Sequence, residues 1–263
     1  MADGARVILD AGTGLRALGQ TLSRDAPMAG NPPLGVTLLL TLLLTHRHSD
    51  HVSGLAHFAP LLSRSHSVRV ACGGVSAAAL GETVTQQLSP PLFPALDGVT
   101  SALLVQEFDA AEKFTVSATC HVTALAAFHP GGASVLRVHD ASGAVFAYAP
   151  DSELSLADQA APLAQWRARL AEALRGIPLL VHDATYIHDE LAAHRGWGHS
   201  SAEDATRFAI DCGAGALLLT HHHPDRTDDE IDGIVVRCRA LAAAAGSTLL
   251  VSAAAEGMVL DVT

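Results

Sequence analysis

The chain has 263 residues and a formal net charge of −11, and 49% of it is hydrophobic although only 4% is aromatic. That length can bury a large core, built here mainly from Ala, Leu and Val, and it suits one α/β domain over residues 1–263. The acidic balance argues against a broad surface for long nucleic acids, while a bound cation could still draw in a small anionic substrate.

In chain order, "ARVILDAGTG" is a short strand into a glycine turn, and Leu15, Leu18 and Leu22 have helical spacing. A Pro/Gly loop, "DAPMAGNPPLG", precedes a buried strand over Val36 to Thr45. A histidine cluster and a helix from Val52 to Leu62 follow, then the strand "SVRVACGG". From Gly81 to Asp97 the Pro-rich "LSPPLFPALDG" predicts irregular structure. Strands are expected around Ala102 to Phe108 and Val116 to Ala127. "SVLRVHDASGAVFAYAPD" reads as a hairpin turning on Asp-Ala-Ser-Gly. Leu156 to Leu174 is helical, and "IPLLVHDAT" is a strand. "HSSAEDATRFAIDCGAG" carries a capping box from Ser200 to Glu203 and closes at Gly213. "ALLLTHHHPD" is a strand with a polar end, Ile231 to Ala244 a helix, and "TLLVSAAAEGMVLDV" supplies final strands.

Cys72, Cys120, Cys212 and Cys238 lack metal-knuckle spacing and read as small buried residues. No basic-then-apolar leader opens the chain, and "VTLLLTLLLT" is too short to span a bilayer, so no membrane association and a cytoplasmic location are expected.

Four apolar strands, in "LLLTHRHSDH", "ALAAFHPGG", "AYAPDSE" and "LLLTHHHP", end in a potential metal ligand. Strand carboxyl ends are where α/β folds place chemistry. In His46-x-His48, alternate residues of an extended segment point to one side and can reach one ion. Asp50 and His51 fall where the chain turns, better placed for a second ion.

"THRHSDHVSGL" resembles the signature of the metallo-β-lactamase superfamily, and further blocks carry the resemblance along nearly the whole chain. It implies a four-layer αββα sandwich of two mixed β-sheets with a binuclear metal site at one edge. "VILDAGTGLRALG" places Asp10 beneath the site as a supporting acceptor. "FHPGG" adds His129 to His46 and His48 at the first metal. "YAPDSE" makes Asp151 the bridging carboxylate. "LLLTHHHPD" completes the second metal, with Asp50 and His51, through His221; His222 is the alternative. "HDATY" with "GWGHSSAEDA" is similar to the ribonuclease Z and phosphodiesterase branch and implies that His199 faces a substrate phosphate, beside helix N–H groups that could bind an anion. Asp183 would support the site by hydrogen bonding. The other histidines, among them His57, His66, His121, His139, His182, His188 and His194, are expected to be solvated or satisfied locally.

Two departures stand out. Family members carry a strand ahead of the first aspartate, so either the start is truncated or one edge strand is missing, leaving an edge that could pair in a homodimer. The arm with which ribonuclease Z enzymes bind transfer RNA has no counterpart here. The expectation is a metallo-hydrolase holding two divalent ions, Zn in the first place and Mn or Fe as alternatives. Its metal-bridging hydroxide would attack a small phosphodiester or cyclic nucleotide, with Asp50 and His199 as catalytic residues. The alternatives are a di-zinc hydrolase of a lactone, thioester or β-lactam, and an inactive binding scaffold of the same fold.

Overall fold

Three short βα repeats build the first sheet. In the computed structural model, which describes residues 6–25, 38–63, 66–94, 102–110, 112–155 and 161–262, strands β1 (Val7–Leu9), β2 (Leu38–Leu44), β3 (His66–Gly73) and β4 (Ala102–Phe108) lie side by side in chain order. All three pairings are parallel. This sheet is therefore not mixed as expected, because each connection crosses over through helical segments instead of returning by a hairpin. The helices are α1 (Leu15–Asp25), α2 (Ser49–Val52) and α3 (Ala77–Gln87). Leu40, Leu42 and Leu44 of β2 share a core cluster with Leu15, Leu22, Leu55, Phe58, Val68, Val70 and Leu80. The opposite face of β2 buries Thr41 and Leu43, so both faces of this strand are covered.

Two local expectations change in this region. The helix expected over Val52 to Leu62 is α2 followed by two 3₁₀ turns, Leu55–His57 and Ala59–Leu62, broken where Gly54 and Pro60 interrupt the periodicity. Gly81 to Gln87 is helical rather than irregular, because Ser76 caps α3 by accepting from the Ala79 N–H and the first proline comes only at Pro90.

The second sheet runs β11-β10-β9-β8-β7-β6-β5, made of β5 (Lys113–Thr115), β6 (His121–Ala127), β7 (Ala133–Asp140), β8 (Gly143–Ala149), β9 (Leu179–Asp183), β10 (Ala216–Thr220) and β11 (Leu250–Ala253). It is mixed. β7 and β8 form the expected hairpin, with Asp140 opposite Gly143, while β8, β9, β10 and β11 are mutually parallel. The expected strand from Val116 begins only at His121, preceded by a turn in which Val116 N–H bonds Cys120 O. One strand, not several, forms after Leu249.

Helices α4 (Ala161–Ala173), α5 (Ala202–Cys212) and α6 (Asp228–Ala244) follow, and α5 and α6 supply Phe208, Ala209, Ile234 and Cys238 to a core shared with Leu180, Leu217 and Val251. The cap of α5 is Ser201, whose hydroxyl accepts from the Asp204 N–H, one residue later than expected. Ser200 is unavailable because its hydroxyl accepts from Leu154 N–H and donates to Ser152 O. Gly213 closes the helix in the left-handed region, as expected.

The chain divides into two compact units, Met1–Ala124 and Leu125–Thr263, and the division falls within β6. In the second unit the register aligns Ala149 and Leu219 with His182, and Thr220 with Asp183. The carboxyl ends of β8, β9 and β10 are thus level at one edge, which is what brings the residues just beyond them together.

Candidate metal centre

In the first unit, β1 and β2 end beside each other and their exits are locked by glycines. The Gly54 N–H bonds Ala11 O and the Ala11 N–H bonds His51 O, both at 2.8 Å. A Cβ on Gly54 would stand 2.0 Å from Gly12 O, and one on Gly12 would stand 2.6 Å from Asp50 O, so neither position accepts a side chain. Asp10, held at φ 61, is buried between the exits. Its carboxylate accepts from the Thr45 N–H at 2.7 Å and from His51 Nδ1 at 2.8 Å, and Thr45 Oγ1 lies 3.0 Å from Oδ2. With its proton given to Asp10, the Thr45 hydroxyl accepts from His46 Nδ1 at 3.1 Å. Both imidazoles therefore keep Nε2 as the lone-pair nitrogen, the tautomer a metal requires. The His46 ring lies 4.5 Å from His48 and 4.2 Å from His51, and His51 Nε2 is 3.2 Å from the half-exposed Asp50 carboxylate. Cys72 is buried near Asp10, and burial pushes its thiol up to about 12, so it stays protonated at neutral pH in the metal-free chain.

The second unit gathers the residues beyond β8, β9 and β10. Asp151 is 3% exposed and presents a different oxygen to each of two histidines, Oδ2 at 3.6 Å from His129 Nε2 and Oδ1 at 3.5 Å from His221 Nε2. Each histidine is held from behind: His129 Nδ1 donates to Gly198 O at 2.9 Å, and His221 Nδ1 to Thr185 Oγ1 at 3.0 Å. Asp183, fully buried, accepts from the Thr185 N–H at 2.9 Å, from the Thr185 hydroxyl at 2.8 Å and from His199 Nδ1 at 2.9 Å. The His199 ring stacks on His221 at 4.9 Å and meets His129 edge-on at 5.2 Å. His129, Asp151 and His199 each offer one ligand atom within 4.8 Å of the others, and so do Asp183, His199 and His221. Nitrogen and carboxylate donors at such spacing suit a divalent cation.

The three-histidine run resolves in an unexpected way. Extension stops at Thr220, and His221 adopts φ 55. This turn, rather than strand alternation, aims its Nε2 at Asp151. His222 turns to the Ala254 backbone, and burial pushes its imidazole pKa down. Two of the helix N–H groups expected to bind an anion beside His199 are already used: Ala202 N–H bonds Tyr186 O, Asp204 N–H bonds Ser201 Oγ, and Ser201 and Ala202 are fully buried. His199 stands in that region with Asp183 as its partner.

His66, His139 and His182 are buried, and the Nε2 atom of His182 is without a hydrogen-bond partner among the described residues, so the expectation of local satisfaction is met only in part. Arg137 Nε donates to His139, and His182 Nδ1 lies 2.9 Å from Asp183 O. Of the Pro/Gly loop "DAPMAGNPPLG" and the Pro-rich stretch from Gly81 to Asp97, residues 26–35 and 95–97 lie outside the described residues. Sequence reasoning missed Thr45, Thr185, Glu153 and Gly198. The threonines carried one readable signal, since each stands within two residues of a singled-out histidine or aspartate.

A family model described as the beta-lactamase superfamily domain matches residues 5–222. The chain belongs to that family. Ribonuclease Z of Brevibacillus brevis is 39% identical over 61 residues, covering 23% of this chain and 19% of that protein. The chain spans about a fifth of the length of the curated relatives it matches. Among solved structures, the metallo-beta-lactamase fold protein YhfI from Bacillus subtilis superposes with a TM-score of 0.66 at 19% identity, covering 97% of this chain and 87% of that one. The short form of human tRNase Z gives a TM-score of 0.61 at 17% identity, covering 98% and 88%. These likenesses establish the metallo-β-lactamase fold. No helix among the described residues is long and apolar enough to cross a membrane.

Proposed function

We propose that this member of the beta-lactamase superfamily is a metal-dependent hydrolase of small phosphodiesters, cyclic nucleotides included. The observation that carries the reading is Asp151, whose two oxygens each face the Nε2 of a different histidine whose other nitrogen is already engaged. A carboxylate so placed suits two cations better than one. In this reading His46, His48, Asp50 and His51 of the first unit, and His129, Asp151 and His221 of the second, would supply the metal donors. The donor set is rich in imidazole with some carboxylate, which favours Zn²⁺ and tolerates Mn²⁺ or Fe²⁺.

Bound ions of this kind supply Lewis acidity and lower the pKa of water toward ~7. The chain's own contribution is positioning and a proton. Asp183 engages His199 Nδ1, so His199 presents Nε2 outward, where as an imidazolium it would neutralise a phosphate oxygen and protonate the leaving alkoxide. The ribonuclease Z similarity supports phosphorus over carbonyl carbon as the reacting centre, and the net charge of −11 supports a small substrate over long RNA. All four cysteines are free and buried, in keeping with a reducing, cytoplasmic setting.

The test is metal analysis of the purified chain together with rates on bis-p-nitrophenyl phosphate, nitrocefin and a lactone. The expected result is two equivalents of zinc and turnover of the phosphodiester, which His199→Ala lowers about 10²–10⁴-fold with metal content intact. Turnover confined to the lactone or nitrocefin would move the activity to carbonyl substrates. A metal-free, inactive chain would leave a binding scaffold.

A further inference from the structure

Glu153 is a buried carboxylate, 2% exposed, that makes no salt bridge among the described residues. Burying a carboxylate is costly unless strong donors meet it. Its donors are two backbone amides of one loop: Gly196 N–H to Oε1 at 3.0 Å and Gly198 N–H to Oε2 at 2.9 Å. Its own N–H is tied to Phe128 O at 2.9 Å, next to His129. The loop so gripped leads directly into two functional side chains. The Gly198 carbonyl accepts from His129 Nδ1, and the following residue is His199. The fit allows no slack, because a Cβ on Gly198 would stand 2.3 Å from both His129 Nδ1 and Pro130 Cδ.

We infer that Glu153 is a positioning residue, whose grip on the Gly196 and Gly198 amides sets the orientation of His129 as a metal donor and of His199 as a proton donor. The inference rests on the metal-dependent reading above and adds to it a single buried group that couples the metal to the acid. A carboxylate that merely stabilised the loop would affect folding alone. One that positions both imidazoles also affects metal affinity and the proton delivered to the leaving group.

Glu153→Gln is the sharpest probe, since it keeps the shape but replaces one acceptor oxygen with an NH₂ that cannot accept from a glycine amide. Zinc affinity of the full chain, measured by competition with a chromogenic chelator, should fall about 10–100-fold, the usual effect of losing a partner behind a ligand. Rates on phosphodiesters with alkyl leaving groups should fall further than rates on p-nitrophenyl esters, because only the former need the proton of His199. Unchanged zinc affinity and an unchanged leaving-group dependence, with only a lowered unfolding midpoint, would overturn the inference.

Should the variant fail to fold, the wild-type chain provides the second measurement. If the grip favours zinc, zinc must favour the grip by the same factor, so hydrogen exchange at the Gly196 and Gly198 amides should slow when zinc is added. Exchange there that ignores zinc would count equally against the role. The two readings fail differently. A wild-type chain that takes up no zinc removes both, whereas a wild type that binds zinc and a Glu153→Gln variant that binds it as tightly removes only this one.

Discussion

Replacing Thr185 with valine isolates one hydroxyl in the second unit. Its oxygen lies 3.0 Å from His221 Nδ1, 2.8 Å from Asp183 Oδ1 and 2.8 Å from His221 O. A hydroxyl has a single proton, which goes to one of the two oxygen acceptors, so its lone pair receives the His221 Nδ1–H and fixes that ring's tautomer. Valine keeps the volume, and Asp183 keeps the Thr185 and Ser152 amides and His199. What disappears is the acceptor for His221, together with the one proton the hydroxyl gave to Asp183 or to His221 O. Leaving an inner N–H without its acceptor costs about 1–3 kcal/mol, which urea unfolding of the metal-free chain would register. A ligand that loses its orienting partner costs a further 10–100-fold in metal affinity. That loss should fall on one of the two proposed ions, the one held by His221, and leave the ion held by His129 as it was. Stepwise zinc titration separates the two. Equal weakening of both steps, or unchanged binding and stability, would refute the assignment of Thr185 as the group that sets His221.

Gly54→Ala tests the first unit, where the new Cβ would meet Gly12 O at 2.0 Å and Ala11 O at 2.8 Å, both backbone. A loss of about 4 kcal/mol or more is expected, seen as a collapse of soluble yield or of urea midpoint, and a loss of well under 1 kcal/mol would show that the exits of β1 and β2 are not locked there. Burial pushes the imidazoles of His66 and His182 below their ordinary value of 6.5. The unfolded chain then binds more protons than the folded one below that value, so the histidine contribution to the stability of the metal-free protein should be level from about pH 6.5 to 8 and decline as pH falls beneath 6.5. His182→Gln should reduce that decline, and an unaltered profile in denaturation measured across pH would contradict the assignment. Burial also drives the thiols of Cys72 and Cys212 up to about 12. A disulfide reagent at pH 8 should therefore label these thiols slowly in the native chain and rapidly in urea.

The donors were legible in the sequence because a metal ligand is conspicuous against an apolar strand. His46 and His48 in "LLLTHRHSDH" can be read as candidate donors from chemistry and position, whereas the choice of His221 over His222 in "LLLTHHHP" rests on the family resemblance. The groups that orient them were harder to see. Thr45 and Thr185 look like ordinary strand ends, and Glu153 like a polar residue in a turn, since nothing local announces a hydrogen bond to a residue dozens of positions away. The same tertiary competition moved a cap: Ser200 had the better local pattern, but its hydroxyl is taken by Leu154 N–H and Ser152 O, leaving Ser201 to start α5. Proline misled in the opposite sense. The Pro-rich stretch after Leu88 cast its irregularity back over Gly81 to Gln87, which Ser76 had already committed to a helix.

One hydrogen-bonding scheme occurs twice in this chain, once in each unit. In the first, Asp10 accepts the Thr45 amide, the Thr45 hydroxyl and His51 Nδ1, and the same hydroxyl accepts His46 Nδ1. In the second, Asp183 accepts the Thr185 amide, the Thr185 hydroxyl and His199 Nδ1, and that hydroxyl accepts His221 Nδ1. Each scheme contains one of the two non-glycine residues held at positive φ among the described residues, Asp10 at 61° and His221 at 55°. Such a backbone costs of order 1–3 kcal/mol and persists only where its surroundings compel it. An aspartate–threonine pair at a strand exit can compel it, because the amide and hydroxyl of one residue fix both the position and the polarity of the carboxylate. The result in each case is a pair of imidazoles with Nδ1 engaged and Nε2 presented. The chemistry of the site thus depends on threonine and aspartate as much as on histidine: histidine supplies the lone pair, and the buried pair decides which nitrogen carries it.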